Sequence, residues 1–269
     1  MKYPPITLPE MLERSAGRYA SEIAVIYFGS KISYARLQEH VGRFATGLQS
    51  LRVQKGDRVA LFMPNCPQFV IAFFAVLRVG AVVTPTSPIY TAREIAHQWS
   101  DAGASVVVAD RALLPVIEAA LPQLPALRHI ILTAPRDYYP SGLIKLSKSR
   151  ATAARGEPRN RASDRPRSKL SHNWQDLLEN AAAPTPVALA PSDLACLQYT
   201  GGTTGTSKGA MLTHSNLVIN ACQTNAWLTV GTDGHETMLA VLPFFHIYAL
   251  SCTILGSILS GGTMVILPR

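Results

Sequence analysis

A stretch of small polar residues near the end of the chain carries the groups best suited to hold an anion. It is the sequence "QYTGGTTGTSKGAMLTH", from Gln198 to His214, which lies between two apolar runs. Glycines allow successive backbone N–H groups to converge on one point, and threonine hydroxyls add further donors. Lys208 places a compact positive charge at the end of the run. This combination predicts a phosphate-binding loop.

Two common phosphate-binding motifs do not fit this stretch. It is not a Walker A motif, because Ser207-Lys208-Gly209 leads into a predicted strand and not into a helix. It contains no G-x-G-x-x-G, so a dinucleotide fingerprint is also excluded. A flexible surface loop with no ligand is the remaining alternative. Hairpin loops usually have two to five residues, so a longer loop without an apolar anchor favours a ligand.

The elements that must position this loop alternate between strand and helix. "EIAVIYFGSKISY" predicts a hairpin that turns at Gly29 and Ser30. "DRVALFM", "PQFVIAFFAVLRVG" and "AVVTPTS" predict a βαβ unit, and "ASVVVAD", "ALLPVIEAAL" and "HIILTA" continue the alternation. We therefore expect an α/β fold of stacked, mostly parallel sheets flanked by helices.

Helix boundaries follow from capping signals. Thr91 and Glu94 form a predicted capping box, and Gly103 is the predicted stop of the same helix. "DLACLQYT" and "GAMLT" are predicted strands, so the glycine-threonine loop joins two strands, and Thr213 or Ser215 caps the next helix. An amphipathic helix is predicted from apolar residues at intervals of four and three, namely Leu37, Val41, Phe44, Leu48 and Leu51.

The formal net charge of +8 is concentrated between Arg136 and Lys169. Poor periodicity there predicts a flexible insertion, while "DYYPSGLIKLSK" is a composition that could hold the protein against an anionic membrane. Nucleic acid is the less favoured partner, because the basic part lacks aromatic residues and a recognition helix. The predicted division is a first α/β subdomain (1–135), a basic insertion and linker (136–190) and a second α/β subdomain (191–269), with the boundary at 184–191.

Cysteine usage and the chain's apolar runs point to a cytoplasmic protein. The cysteines stand singly among apolar neighbours, which predicts reduced thiols and no metal site. The N-terminal stretch has neither an apolar secretion signal nor a transit pattern. "FVIAFFAVLRVGAVV" and "IYALSCTILGSILSGGTMVIL" are interrupted by glycine or charge, so each is predicted to be a buried helix followed by a strand. The basic segment also suggests a peripheral position at the inner face of the membrane.

"YTGGTTGTSKGAMLTH" resembles the phosphate-binding signature of the adenylate-forming superfamily, which includes acyl-CoA synthetases, firefly luciferase and peptide-synthetase adenylation domains. The usual pattern is YTSGTTGxPKG. Gly201 stands where serine is common, and a glycine at this position resembles the long-chain fatty acid CoA ligase branch. Ser207 stands where proline is common. The first change removes a hydroxyl donor, and the second is expected to loosen the loop. "PTSPIYTAREIAHQWSDAGA" is also similar to the acyl-CoA ligases.

"LPFFHIYAL" resembles the PxxH segment that lines the nucleotide and acyl pocket in this superfamily, and it gives that role to His246. From the residues alone, a core histidine beside Phe244 and Phe245 is the alternative. The remaining histidines, His97 and His214 among them, are expected to be caps or surface residues.

The resemblance implies a two-step reaction. A carboxylate attacks the α-phosphate of Mg-ATP, pyrophosphate leaves, and the thiol of coenzyme A then displaces AMP from the acyl-adenylate. It assigns catalysis to Lys208 and His246 and gives the protein no metal ligand. Phosphate binding is implied for Thr200, Gly201, Gly202, Thr203, Thr204, Gly205, Thr206, Ser207 and Lys208.

The implied substrate is a long-chain fatty acid, with an aryl-CoA ligase or an amino-acid adenylation domain as alternatives within the class. Members of the superfamily continue with further adenine, ribose and lysine motifs. The resemblance therefore implies the N-terminal part of the large domain, and we expect this portion to be inactive alone. The rival from another class is a non-catalytic membrane-surface or interaction module that acts through 136–169.

Overall fold

The computed structural model of the protein describes residues 3–140, 170–180, 182–200, 207–228 and 231–268. Within them the strands form a seven-stranded sheet and a four-stranded sheet. The strands are β1 (Ile23–Tyr27), β2 (Ser30–Ser33), β3 (Arg58–Phe62), β4 (Val82–Thr86), β5 (Ala104–Asp110), β6 (His129–Thr133), β7 (Ser171–Asn173), β8 (Leu194–Thr200), β9 (Lys208–Thr213), β10 (Thr237–Ala240) and β11 (Thr263–Ile266).

Helices connect most of these strands. The α-helices are α1 (Leu8–Arg18), α2 (Tyr34–Ser50), α3 (Pro67–Arg78), α4 (Ala92–Ala102), α5 (Leu114–Ala120), α6 (Trp174–Leu178), α7 (His214–Trp227) and α8 (Gly256–Ser260). A π-helical segment, Ala249–Leu255, runs directly into α8. Short 3₁₀ turns cover Arg111–Leu113, Leu121–Gln123 and Pro135–Tyr138.

The seven-stranded sheet has the order β7-β6-β5-β3-β4-β8-β9. Its first six strands are parallel to one another, and only β9 is antiparallel, paired to β8. The four-stranded sheet, β10-β11-β1-β2, is parallel except for the predicted β1–β2 hairpin. The predicted α/β fold with mostly parallel sheets is confirmed.

Both faces of the large sheet are covered, as a parallel sheet requires. In β3, Val59 and Leu61 join the core cluster that contains α1, α2 and α3, whereas Ala60 and Phe62 join the cluster beneath α4 and α5. Every residue of α3 before Arg78 is buried, which explains why its sequence is apolar on all sides. No helix among the described residues is long and apolar enough to cross a membrane.

The predicted capping signals are present. Thr91 and Glu94 form a reciprocal capping box on α4, which ends at Gly103 with φ 66°. The positive φ favours glycine there, and a Cβ would in addition lie 2.4 Å from the end of the Arg58 side chain. Thr213, the first of the two candidates, caps α7.

Strands on both sides of the predicted boundary at 184–191 share the two sheets. β8 pairs with β4 in the large sheet, and β11 pairs with β1 in the small one. The division into subdomains stays a prediction.

Most of the basic segment lies outside the described residues, but its first tyrosines pack on the folded chain. Tyr138 Oη lies 3.0 Å from His40 Nδ1, and the Tyr139 ring centroid lies 4.5 Å from that of Phe28.

His97 lies on the surface as expected, whereas His214 is buried. The Nδ1 atom of His214 accepts a hydrogen bond of 3.3 Å from the backbone N–H of Leu8, so it satisfies a free donor at the start of α1. Burial lowers the pKa of His214 to about 4, which keeps the ring neutral near pH 7. A cap position is therefore correct for this residue, and a surface position is wrong.

Candidate active site

The strand pair β8–β9 frames the candidate phosphate loop. The strands are antiparallel, and Thr200 is paired with Lys208 at their ends. Residues 201–206, which include Gly201, Gly202, Thr203, Thr204, Gly205 and Thr206, lie outside the described residues. Because β8 is parallel to β4 and β3, Thr200 lies at the carboxyl edge of the sheet, where α/β proteins bind ligands.

Lys208 is exposed, and within the described ranges it forms no ion pair. Its charge is therefore not neutralised by a described carboxylate. No group of three potential metal ligands occurs among the residues that the structure describes.

Ser207 closes the neck of the loop. Its hydroxyl donates a hydrogen bond of 3.0 Å to the carbonyl oxygen of Thr200 on the opposite strand. The superfamily pattern has proline here, which stiffens a backbone by fixing φ. In this chain the serine hydroxyl makes a cross-strand hydrogen bond instead, which the sequence alone did not suggest.

Tyr199 fixes the base of the strand pair to helix α4. Its hydroxyl donates a short hydrogen bond to the carboxylate of Asp101. Burial, together with this hydrogen bond and charge, raises the pKa of Tyr199, so the hydroxyl keeps its proton. The ring lies against Gly209, its cross-strand partner, where a Cβ would approach ring atoms to 3.0 Å. Glycine at this position leaves room for the ring.

His246 lies in the irregular segment between β10 and the π-helical turn. Its ring is exposed, whereas Phe244 is buried, so the alternative of a core histidine is wrong. The Nδ1 atom accepts a hydrogen bond of 3.3 Å from the backbone N–H of Tyr248. In the neutral ring this assigns the proton to Nε2, which is then free to donate to a ligand.

Two buried amides hold the segment that carries His246. Asn65, in the β3–α3 loop, bonds to the backbone of Leu242 and Phe244. Gln198, in β8, donates to the carbonyl oxygen of Phe245 at 3.0 Å. The structure thus links His246 to the strand that ends at Thr200.

Sequence reasoning gave no role to Asn65, Gln198 or Asp101. A polar residue on the buried side of an otherwise apolar strand was a usable signal for Gln198, and the position of Asn65 just after a parallel strand was one for Asn65. We find no sequence signal for Asp101, which meets Tyr199 across 98 residues of chain.

Comparison with known proteins identifies relatives of this chain. The long-chain-fatty-acid–CoA ligase of Bacillus subtilis strain 168 is 34% identical over 269 residues, covering 98% of this chain and 46% of that protein. The N-terminal domain of FACL13 from Mycobacterium tuberculosis superposes with a TM-score of 0.77 at 25% identity, covering 98% of this chain and 57% of that one. ATP-bound MatB from Rhodopseudomonas palustris gives 0.74 at 25% identity, covering 98% and 46%.

The chain spans about half the length of the curated relatives that it matches. The family described as AMP-binding enzyme matches residues 12–269, which include both the strand pair and the His246 segment. On this evidence the chain belongs to the AMP-binding enzyme family and, within it, is similar to the long-chain fatty acid CoA ligases.

Proposed function

We propose that this chain grips the triphosphate of ATP and supplies that part of an AMP-forming acyl-CoA ligase. The observation that carries the proposal is the pairing of Thr200 with Lys208 at the carboxyl edge of the sheet, at the two ends of the YTGGTTGTSKG loop. The solved structure of MatB, a similar fold, contains ATP. The names of the relatives support a long-chain fatty acid as the acid that is activated.

Lys208 and the loop donors have a shared task in this reaction. An oxygen of the fatty acid carboxylate attacks the α-phosphorus, the bond to the bridging oxygen breaks, and pyrophosphate leaves. Coenzyme A then displaces AMP through its sulfur and releases the acyl thioester. No protein nucleophile is needed, so rate enhancement comes from placement and from neutralising phosphate charge. Lys208 and the donors from Thr200 to Ser207 would hold the β- and γ-phosphates.

His246 would act at the other end of the triphosphate. An exposed ring that carries its proton on Nε2 is suited to donate a hydrogen bond to a carboxylate or an α-phosphate oxygen. Mg²⁺ would arrive with ATP and neutralise phosphate charge, and the described residues offer no cluster of ligands for it.

Binding of pyrophosphate and Mg-ATP, measured by isothermal titration calorimetry on the 269-residue chain, tests the proposal. A hydrogen bond to a charged group contributes about 1.5–3 kcal/mol, so Lys208→Ala should weaken pyrophosphate binding roughly 10- to 150-fold. Lys31→Ala is the matched control, because Lys31 is also an exposed strand lysine without an ion pair in the described part of the chain. Equal losses in both variants would refute the proposed grip.

Turnover of fatty acid, ATP and coenzyme A by this chain alone is expected to be absent, and robust pyrophosphate release would contradict that part of the proposal.

The rival function, a non-catalytic membrane-surface module, is tested by sedimentation with anionic vesicles, comparing the whole chain with a deletion of 141–169. Lipid binding that depends on the deleted residues, combined with no nucleotide binding, would favour it. A cytoplasmic position with peripheral contact at the inner membrane face stays part of the same proposal.

A further inference from the structure

The backbone between β10 and the π-helical segment is held by two carboxamide side chains. Residues 241–246 belong to no helix or strand, and backbone hydrogen bonds, such as that of the His246 N–H to the carbonyl oxygen of Pro243, satisfy only part of their polar groups. Buried backbone groups need such partners. Asn65 and Gln198 provide them, and we call this pair the carboxamide clamp.

Asn65 bonds to both sides of Pro243. Its Nδ2 donates to the carbonyl oxygen of Leu242 at 2.8 Å, and its Oδ1 accepts from the N–H of Phe244 at 2.8 Å. Proline has no N–H of its own, so this one side chain satisfies the polar groups on either side of it. Asn65 is 4% exposed, so water competes little for these bonds.

Gln198 bonds one residue further along, at Phe245. Its Nε2 donates 3.0 Å to that carbonyl oxygen, and the side chain is 5% exposed. Gln198 precedes Thr200 by two residues in β8 and therefore points to the same face of the strand. Its Oε1 is buried and has no partner among the described residues.

We infer that Asn65 and Gln198 are positioning residues that hold His246 at a fixed place relative to Thr200 and Lys208. This inference rests on the proposed function, in which the two ends of the triphosphate are held by different segments. The clamp joins the segment behind His246 directly to the strand that leads into the phosphate loop. A carboxamide suits the task at Asn65 because it donates and accepts at once.

Gln68 offers a matched control. It is fully buried, and its Nε2 donates to Thr133 Oγ1 at 3.0 Å and to the carbonyl oxygen of Ala134 at 2.8 Å. Like Gln198, it has an Oε1 without a partner in the described part of the chain. Replacing Gln68 by leucine removes the same kind of bond without touching the His246 segment.

The experiment compares Gln198→Leu, Asn65→Leu and Gln68→Leu with the parent chain. The first readout is structural and independent of nucleotide: amide exchange at Phe244 and the imidazole signals of His246 by NMR. Asn65→Leu should raise exchange at Phe244 at least tenfold, both clamp variants should shift or broaden the His246 signals, and Gln68→Leu should leave them unchanged. Should Asn65→Leu not fold, Gln198→Leu decides alone through the His246 signals, because it leaves both Asn65 bonds in place.

The second readout separates positioning from general destabilisation. Calorimetry at a temperature where all variants are folded should give at least a fivefold loss of Mg-ATP affinity in the clamp variants and less than a twofold loss for pyrophosphate. Unchanged His246 signals, or equal changes in Gln68→Leu, would overturn the clamp. A parent chain that binds neither ligand would instead refute the proposed function. The NMR comparison would still show whether Asn65 and Gln198 hold His246 in place.

Discussion

Replacement of Gly209 by alanine tests how the base of the phosphate loop is built. The new Cβ would lie 3.0 Å from two ring atoms of Tyr199 and 3.3 Å from its hydroxyl oxygen. Contacts this short are uncommon for a Cβ, so the ring must shift by a few tenths of an ångström. Its hydrogen bond to Asp101 is then lengthened or broken.

The expected cost combines two destabilising terms with one stabilising term. Overpacking costs about 1–3 kcal/mol, and the weakened hydrogen bond adds about 1 kcal/mol because Asp101 is solvent-exposed. Alanine is favoured over glycine within a strand by roughly 0.5–1 kcal/mol. The net destabilisation is about 1–3 kcal/mol, which corresponds to a fall in Tm of roughly 2–10 °C.

Thermal and urea unfolding followed by circular dichroism measure this directly. Gly17→Ala is the control, because a Cβ at that helical position meets nothing within 4 Å, and it should leave stability unchanged or raise it. In a Tyr199→Ala background the Gly209→Ala change should cost nothing, since the clash is gone. The reasoning is refuted if Gly209→Ala is as stable as the parent, or if its cost persists without the Tyr199 ring.

Three further predictions concern pH, the loop neck and the thiols. The pKa of His214 is about 4 in the folded chain and about 6.5 in the unfolded chain, so the unfolded state binds more protons between these pH values. The free energy of unfolding should therefore fall by roughly 3 kcal/mol as the pH drops from 6.5 to 4. His214→Gln should flatten this part of a profile of urea midpoint against pH. Ser207→Ala should speed amide exchange at Lys208, because it removes the hydrogen bond from Ser207 to Thr200. Ser207→Pro should weaken pyrophosphate binding less than Ser207→Ala does, because proline restrains the backbone. Equal exchange rates in the parent and the alanine variant would contradict a stabilising role for this hydrogen bond. Burial raises the pKa of Cys66 and of Cys196 to about 12, so a thiol reagent at pH 8 should label the other two cysteines first, and immediate labelling of all four in the folded chain would contradict their burial.

Local patterns in the sequence predicted the elements well because each signal depends on neighbouring residues. The capping box of Thr91 and Glu94 needs only residues within one turn, and the apolar run of α3 needs only burial on all sides. The loop between β8 and β9 was likewise visible as small residues between two apolar runs. Its resemblance to a known signature is the basis for a nucleotide as ligand, which stays a prediction.

Contacts across long stretches of chain were not predictable in the same way. Asn65 meets Phe244 across 179 residues and Gln198 meets Phe245 across 47, so each partner is set by the packing of the sheets. His214 was expected to be a cap or a surface residue, but it is buried against the start of α1. The apolar run after His246 predicted a buried helix, yet its π-helical hydrogen bonding has no periodic signature in so short a segment.

The central claim is that the loop between Thr200 and Lys208 grips the triphosphate of a nucleotide. A crystal structure of this chain soaked with a nonhydrolysable ATP analogue and Mg²⁺ tests it most directly. We expect density for the β- and γ-phosphates at the ends of β8 and β9, with Lys208 Nζ within hydrogen-bond distance of a phosphate oxygen. Analogue bound at another surface while these strand ends stay free of phosphate would contradict the account.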